Sequence, residues 1–334
     1  MALSERDLIE HIRKQAAASS ARGLIKEIGD DCSVFGTSAR GAWLVSTDML
    51  VDGVHFTREW HPPRLLGRKS IAVNLSDIAA MGGVPRFFLL SVSLPPWLSS
   101  EWLFQWLEGV SAILSEYDCV LIGGDTVSGQ ELNISVTVLG EQHPAGIIYR
   151  SGARSGDTVY VSGPLGSSAA GLEILKRTGG DGLQRNSGWG ILINTHLDPI
   201  PQVQLGQVLC ASGCVSAMQD ISDGLATDLS HICNESGVGA VIREQRLPHL
   251  PELDEVCSAL QLHKSDCILR GGEDYQLVFC VSRGREKDLE EYVKKAGNYV
   301  VYPVGTIEMG RGVSLEDDQG RRRDITFQGY EHQL

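Results

Sequence analysis

The stretch Asp220-Ile221-Ser222-Asp223-Gly224-Leu225 decides how this chain of 334 residues is read. Two carboxylates flank a hydroxyl, a glycine follows, and an apolar helical run begins. Similar text recurs at Ser46-Thr47-Asp48, Asn74-Leu75-Ser76-Asp77, Gly123-Gly124-Asp125-Thr126 and Gly271-Gly272-Glu273-Asp274. Each reads as a short acidic turn, flanked by small residues, beside an apolar run. Carboxylates gathered at the ends of buried elements repel; two unit charges about 4 Å apart cost roughly 4 kcal/mol at an effective dielectric of 20. Divalent cations relieve such repulsion, and hard oxygen ligands suit magnesium. The pattern predicts a phosphate-handling enzyme that binds several magnesium ions.

The composition, 42% hydrophobic and 21% charged, is that of a globular protein long enough for two domains. A formal net charge of −13 argues against nucleic acid as a partner, because phosphate backbones need clustered Lys and Arg. It leaves nucleotides open, since metal ions and backbone amides also hold phosphates. Eight cysteines show no Cys-x-x-Cys spacing, and most sit beside apolar residues. They read as structural thiols of a reducing cytoplasm. The amino-terminal residues carry no apolar signal core, and no apolar run approaches the ~20 residues of a membrane span.

Along the chain, Ser4 with Asp7 resembles a capping box for a first helix. Residues 24–35 predict a strand entering the Gly29-Asp30-Asp31 turn, and Ala42 to Val45 a short strand ending at Ser46. Pro62-Pro63 opens a helix that Gly82-Gly83 closes, with Asn74 and Asp77 on one face. Leu103, Trp106, Leu107, Val110, Leu114 and Tyr117 form the core stripe of a helix capped by Ser99 or Ser100. Val120 to Ile122 predicts a short buried strand that runs into the Gly123-Gly124-Asp125 turn. A turn-rich stretch near 145–155 marks a domain boundary. Beyond it, strands are expected at 158–162, 215–218, 275–281 and 300–307. Helices are expected at 167–177, 203–211, 225–235 and 286–296, with an exposed loop over 178–190.

Each motif also has a plainer reading. Ser222 or Asp223 can be an ordinary helix N-cap. Gly123-Gly124-Asp125 can be a plain turn, or its amides can face phosphate oxygens with Asp125 on a metal. His55 can be a hydrogen-bonded loop histidine, and Arg150 a surface arginine. Asp77 has apolar neighbours and needs a partner if buried. Of Asp30 and Asp31, only one easily faces inward. The chain has no Gly-x-x-x-x-Gly-Lys-Ser/Thr loop, no kinase His-Arg-Asp set and no His-Glu-x-x-His.

Taken in order, nine segments resemble the thiamine-monophosphate kinase family of the aminoimidazole ribonucleotide synthetase-like superfamily. They are Gly29–Cys32, Ser46–Val51, Gly53–Phe56, Ala72–Gly82, Leu121–Thr126, Arg150–Ala153, Asp220–Leu225, Gly271–Tyr275 and Gly329–His332. The resemblance implies an α+β fold of two domains, 1–149 and 150–334, each a β-sheet covered by helices, with amino-terminal sheets pairing in a homodimer. It implies ATP-dependent phosphorylation of thiamine monophosphate by in-line transfer, with catalysis resting on Asp48, Asp220 and Asp223. By position, magnesium ligands would be Asp31, Ser46, Thr47, Asp48, Asp77, Asp125, Asp220 and Asp223. Nucleotide contacts would be Gly124, Asp125, Arg150 and Ser222; acceptor contacts would be His55, Glu273 and Tyr330. Val127 and the ending His332-Gln333-Leu334 depart from the family's usual text. Other enzymes of the superfamily, or a non-catalytic magnesium-nucleotide regulator, are the rival readings.

Overall fold

The computed structural model describes residues 5–16, 23–36, 41–179 and 188–331. Two domains each combine a mixed sheet with helices. The first holds α1 (Glu5–Ala16), β1 (Leu24–Lys26), β2 (Ser33–Gly36), β3 (Ala42–Val51), α2 (Pro63–Ala80), β4 (Val84–Leu94), α3 (Ser100–Glu116), β5 (Val120–Ser128) and β6 (Asn133–Glu141). Its sheet runs β1-β2-β3-β6-β4-β5, antiparallel except for the β4–β5 pair.

The second domain holds β7 (Thr158–Val161), α4 (Ser167–Thr178), α5 (Gly190–Leu197), α6 (Val203–Ser212), β8 (Val215–Ile221), α7 (Leu225–Ser236) and β9 (Gly239–Arg243). It continues with α8 (Pro251–Leu260), α9 (Lys264–Arg270), β10 (Gln276–Val281), α10 (Glu286–Gly297), β11 (Tyr302–Glu308), β12 (Gly312–Glu316) and β13 (Arg322–Asp324). The sheet order is β13-β12-β9-β11-β7-β10-β8, with β12–β9 the parallel pair.

Helix α2 is the axle of the molecule. It opens at Pro63 and is apolar and small on nearly every side, so it is buried almost all round. Helix α3 crosses it where Gly67 meets Trp106 and Gly109 meets Arg64. A Cβ on Gly67 would sit 2.0 Å from the Trp106 carbonyl oxygen, and one on Gly109 1.9 Å from that of Arg64. Two glycines let the backbones touch. Ser99 is the N-cap of α3, accepting from the Trp102 amide at 3.1 Å, and Trp106, Val110 and Leu114 of the expected stripe are buried. Helix α6 of the second domain packs on the other side of α2, and Leu205, Leu209, Leu277 and Phe279 join the first domain's hydrophobic core. The domains share a seam with α2 at its centre.

Several expectations are corrected. Strand β3 does not stop at Ser46 but runs to Val51, so Ser46 and Asp48 point to one face and Thr47 to the other. The Gly123-Gly124-Asp125 segment is no turn; it lies inside β5. Nor is β5 buried. It is the sheet's edge, exposed along its whole length, with Val120, Ile122 and Val127 each more than half exposed. Its apolar residues correctly signal a strand, but nothing among the described residues covers them. Strand β8 extends through Asp220. Elements α5, β9, α8, α9, β12 and β13 carried no signal read from the sequence. Ser4, residues 180–187 of the expected loop, and residues 332–334 lie outside the described residues.

Candidate active site

A cleft of about 780 Å³ opens between the domains. Asp48, Asp77, Asp220, Ser222, Asp223, His55, Glu273 and Tyr330 all line it. Residues spread over almost the whole sequence thus meet, and the reason lies in three local structures.

The first is α2. Lys69, Val73, Ser76 and Asp77 recur at i, i+4, i+7 and i+8, which is one helical face. Ser76 Oγ donates to Asp220 Oδ2 at 2.7 Å, and Asp77 accepts from Ser46 Oγ. The second is the turn after β8. Its expected role as a helix N-cap is not observed: Gly224 occupies the cap of α7 without a side-chain bond. Instead the buried Asp228, one turn into α7, accepts the Asp223 amide at 3.1 Å and the Gln219 side-chain amide at 3.0 Å. Ser222 and Asp223 are thereby left to face the cleft. Gly224 sits at φ +105°, and a Cβ there would press within 2.9 Å of the Leu269 carbonyl oxygen. The third is the 271–275 segment, laid directly on that turn: the Glu273 amide donates to Ser222 O at 2.7 Å, and the Tyr275 amide to Ile221 O at 2.9 Å. Both residues have positive φ, 65° and 48°. Asp274 turns away to accept the Gly166 and Ser168 amides at the start of α4, at 2.6 and 3.0 Å. The two acids of this motif therefore divide, one structural and one in the cleft.

One carboxylate oxygen from each of Asp31, Asp77 and Asp220 falls within 4.8 Å of the others. Burial raises the pKa of Asp31, Asp48, Asp220 and Asp223 to about 6; neighbouring aspartates add to it at Asp31, Asp48 and Asp220, and Glu5 and Glu273 at Asp223, while Arg150 opposes it at Asp31, Asp220 and Asp223. Burial, then Asp48, Asp220 and Asp31, push Asp77 well above the usual range. Asp31 Oδ2 is buried without a hydrogen-bond partner. Converging carboxylates that resist ionisation, one with an orphaned oxygen, fit a hard divalent cation.

Asp31 rather than Asp30 faces this cluster. Asp30 accepts the Arg150 amide at 3.2 Å and pairs with Lys26 at 3.2 Å. The Arg150 guanidinium binds Asp31 Oδ1 at 2.6 Å, so it sits at the domain seam as part of the cluster's wall. His55 Nδ1 accepts the Val51 amide at 3.1 Å, and the Tyr330 amide donates to Asp223 O at 2.8 Å. Other expected residues are not brought together. The Thr47 hydroxyl donates to the Val136 carbonyl at 3.0 Å on the far face of the sheet. Gly124 and Asp125 lie on β5; the register runs from Asp125 to Ser91, Ser135 and Met49, three strand spacings or about 14 Å from β3.

The sequence reading also missed Lys69, Ser76 and His196, all buried at this wall. For the first two a signal existed: they share the helical face of Asp77.

This fold and this site belong to a known class. Residues 29–142 match the AIR synthase related protein N-terminal domain, and residues 154–318 the corresponding C-terminal domain. Within that class the chain belongs to the thiamine-monophosphate kinase family. It is 39% identical to the thiamine-monophosphate kinase of Buchnera aphidicola subsp. Acyrthosiphon pisum (strain APS) over 92% of either chain. It is 37% identical to that of Bacillus subtilis (strain 168) over 84% of either. The solved structure of AaThiL complexed with AMPPCP and TMP superimposes with a TM-score of 0.84 at 32% identity, covering 99% of this chain and 97% of that one.

Proposed function

We propose that this protein transfers the γ-phosphoryl group of ATP to thiamine monophosphate, giving thiamine diphosphate and ADP. The observation that carries the reading is the carboxylate cluster of Asp31, Asp77 and Asp220, with Asp48 and Asp223 beside it, at the floor of an interdomain cleft. Family membership and the likeness to AaThiL complexed with AMPPCP and TMP support it.

In the reaction an acceptor phosphate oxygen attacks the γ-phosphorus in line, and the bond to the β–γ bridging oxygen breaks, its electrons leaving with ADP. The acceptor oxygen is already ionised near neutrality, so no general base is required. The work is positioning and charge neutralisation. Catalysis rests on Asp48, Asp220 and Asp223. Asp31, Ser46, Thr47, Asp48, Asp77, Asp125, Asp220 and Asp223 would hold magnesium, which when bound neutralises the phosphate oxygens. Arg150, Ser222, Gly124 and Asp125 serve the nucleotide; His55, Glu273 and Tyr330 serve the acceptor.

The domain join falls at 149/150. The chain acts as a homodimer in which the exposed edge β5 is covered by the partner's sheet. Asp125 then reaches the partner's cleft, which accounts for its separation from the cluster of its own chain. All eight cysteines are free thiols, which suits a reducing cytoplasm. Among the described residues no helix is long and apolar enough to cross a membrane.

The test is turnover of thiamine monophosphate with magnesium and ATP, with thiamine diphosphate read by fluorescence after oxidation. Product formed from the monophosphate but not from free thiamine, and only with magnesium, supports the reading. Absence of product alongside ADP release to another acceptor overturns the substrate.

A further inference from the structure

We propose that Lys69 is a positioning residue for the acceptor: it fixes the Glu273 carboxylate in the cleft at a set distance from the carboxylate cluster. The inference rests on the reading of Glu273 as an acceptor contact. Lys69 lies in the middle of α2 with its side chain 0% exposed. A buried ammonium is costly unless paired, and Nζ finds Glu273 Oε2 at 3.1 Å. A second nitrogen converges on the same oxygen: His196 Nδ1, also at 3.1 Å, from α5. The Ser168 hydroxyl lies 3.0 Å from the same Nδ1, so this nitrogen is shared between serine and carboxylate. Burial first, then the nearby Lys69, lower the pKa of His196 and favour the neutral imidazole.

Both nitrogens fall on Oε2, and neither engages Oε1. The carboxylate stays 22% exposed along the cleft wall. Its backbone is held in the left-handed region, at φ 65°, by the hydrogen bond to Ser222 O. A non-glycine residue keeps that conformation only where its surroundings over-determine it. Glu273 is thus clamped from its backbone and from one oxygen, with the other left for a donor group of a ligand.

The helix supplies the distance. Lys69 and Asp77 are eight residues apart on one face of α2, about 12 Å along its axis. Asp77 belongs to the cluster at the phosphate end, and Lys69 sets the far end through Glu273. A rigid helix spanning both makes α2 a gauge for an acceptor that carries a phosphate at one end and a hydrogen-bonding ring at the other.

The experiment is steady-state kinetics on the full chain with thiamine monophosphate and Mg-ATP, comparing Lys69→Met, Glu273→Gln and the double variant. Lys69→Met is expected to raise the acceptor KM about tenfold while the ATP KM stays within about twofold. Lys69→Met added to Glu273→Gln is expected to change the acceptor KM no further, because the lysine acts through the carboxylate. The double variant keeps the site neutral, so it reports even where Lys69→Met alone misfolds. An unchanged acceptor KM in Lys69→Met, or additive losses in the double variant, overturns the proposal. So does a Glu273→Gln variant with normal acceptor KM. The wild-type rate in the same series separates that failure from a failure of the kinase reading.

Discussion

Ser76 Oγ donates to Asp220 Oδ2 at 2.7 Å, joining helix α2 of the first domain to strand β8 of the second across 144 residues of sequence. Ser76 thus orients one carboxylate of the cluster while its neighbour Asp77 supplies another. The domain seam and the acidic floor of the cleft are therefore the same structure.

Removing single carboxylates from this floor should expose their role. Asp77→Asn and Asp223→Asn are each expected to lower kcat about 100-fold or more, because the phosphates lose part of their neutralising shell. Circular dichroism should remain that of the wild type. Near-normal rates in both variants would remove the cluster from the mechanism.

Stability should depend on pH and magnesium in a linked way. Asp31, Asp48, Asp220 and Asp223 titrate near 6 in the fold against an ordinary 3.8. The folded state holds protons that the unfolded chain has released, so this contribution is present at low pH and is lost as pH rises through about 6. With chelator, Tm is expected to climb as pH falls from about 7.5 to about 5. Magnesium at pH 7.5 should restore the lost stability by binding the ionised form. Glu273 acts oppositely: despite burial, Lys69 and His196 hold it well below the usual range, so its stabilisation fades only in acid. Equal Tm values at pH 7.5 in chelator and magnesium would argue against the metal site.

The α2–α3 crossing should tolerate no side chain. Gly67→Ala places a Cβ where the Trp106 carbonyl oxygen lies 2.0 Å away, and backbone cannot give as a side-chain tip does. The expected cost is about 3 kcal/mol in chemical denaturation. A change within about 0.5 kcal/mol would show that the helices separate freely.

The edge strand offers a test of assembly. Val127→Asp puts a charge on β5 and should yield monomers in sedimentation, with activity lost alongside. Co-expressed Asp77→Asn and Asp125→Asn chains in equal amounts should recover about one quarter of wild-type activity. Half of such dimers are mixed, and each mixed dimer has one intact site of two. No recovery would place Asp125 in its own chain's site.

Tyr330→Ala should mainly raise the acceptor KM, since Tyr330 stands at the cleft rim with its amide tied to Asp223. An ATP KM that rises instead would reassign it to the nucleotide.

Local chemistry was legible where it is written in consecutive residues. The Pro62-Pro63 start and Gly82-Gly83 end bracketed α2, and the spacing of Asn74 and Asp77 placed them on one face. The ordered acidic motifs identified the family and named Asp48, Asp77, Asp220 and Asp223, which gather in the cleft, along with Asp125, which stands apart on β5. Neighbouring acids that divide their work were a different matter. Glu273 faces the cleft while Asp274 accepts the amides at the start of α4, and side-chain type alone could not assign those roles.

Position in the assembled sheet was not legible, because burial is a property of neighbours. Val120–Ile122 has the composition of a buried strand, yet β5 is an edge. Thr47 lies beside Ser46 and Asp48, but the two-residue repeat of a strand turns its hydroxyl to the opposite face. Lys69 reads as an ordinary helix-surface lysine until Glu273 and His196, more than a hundred residues away, close over it. By itself the sequence determined most of the helices and strands and the set of carboxylates, since these follow from local pattern. Only the tertiary structure decided which of them share a cleft, because charge repulsion, ion pairing and burial act between residues that the chain must first bring together.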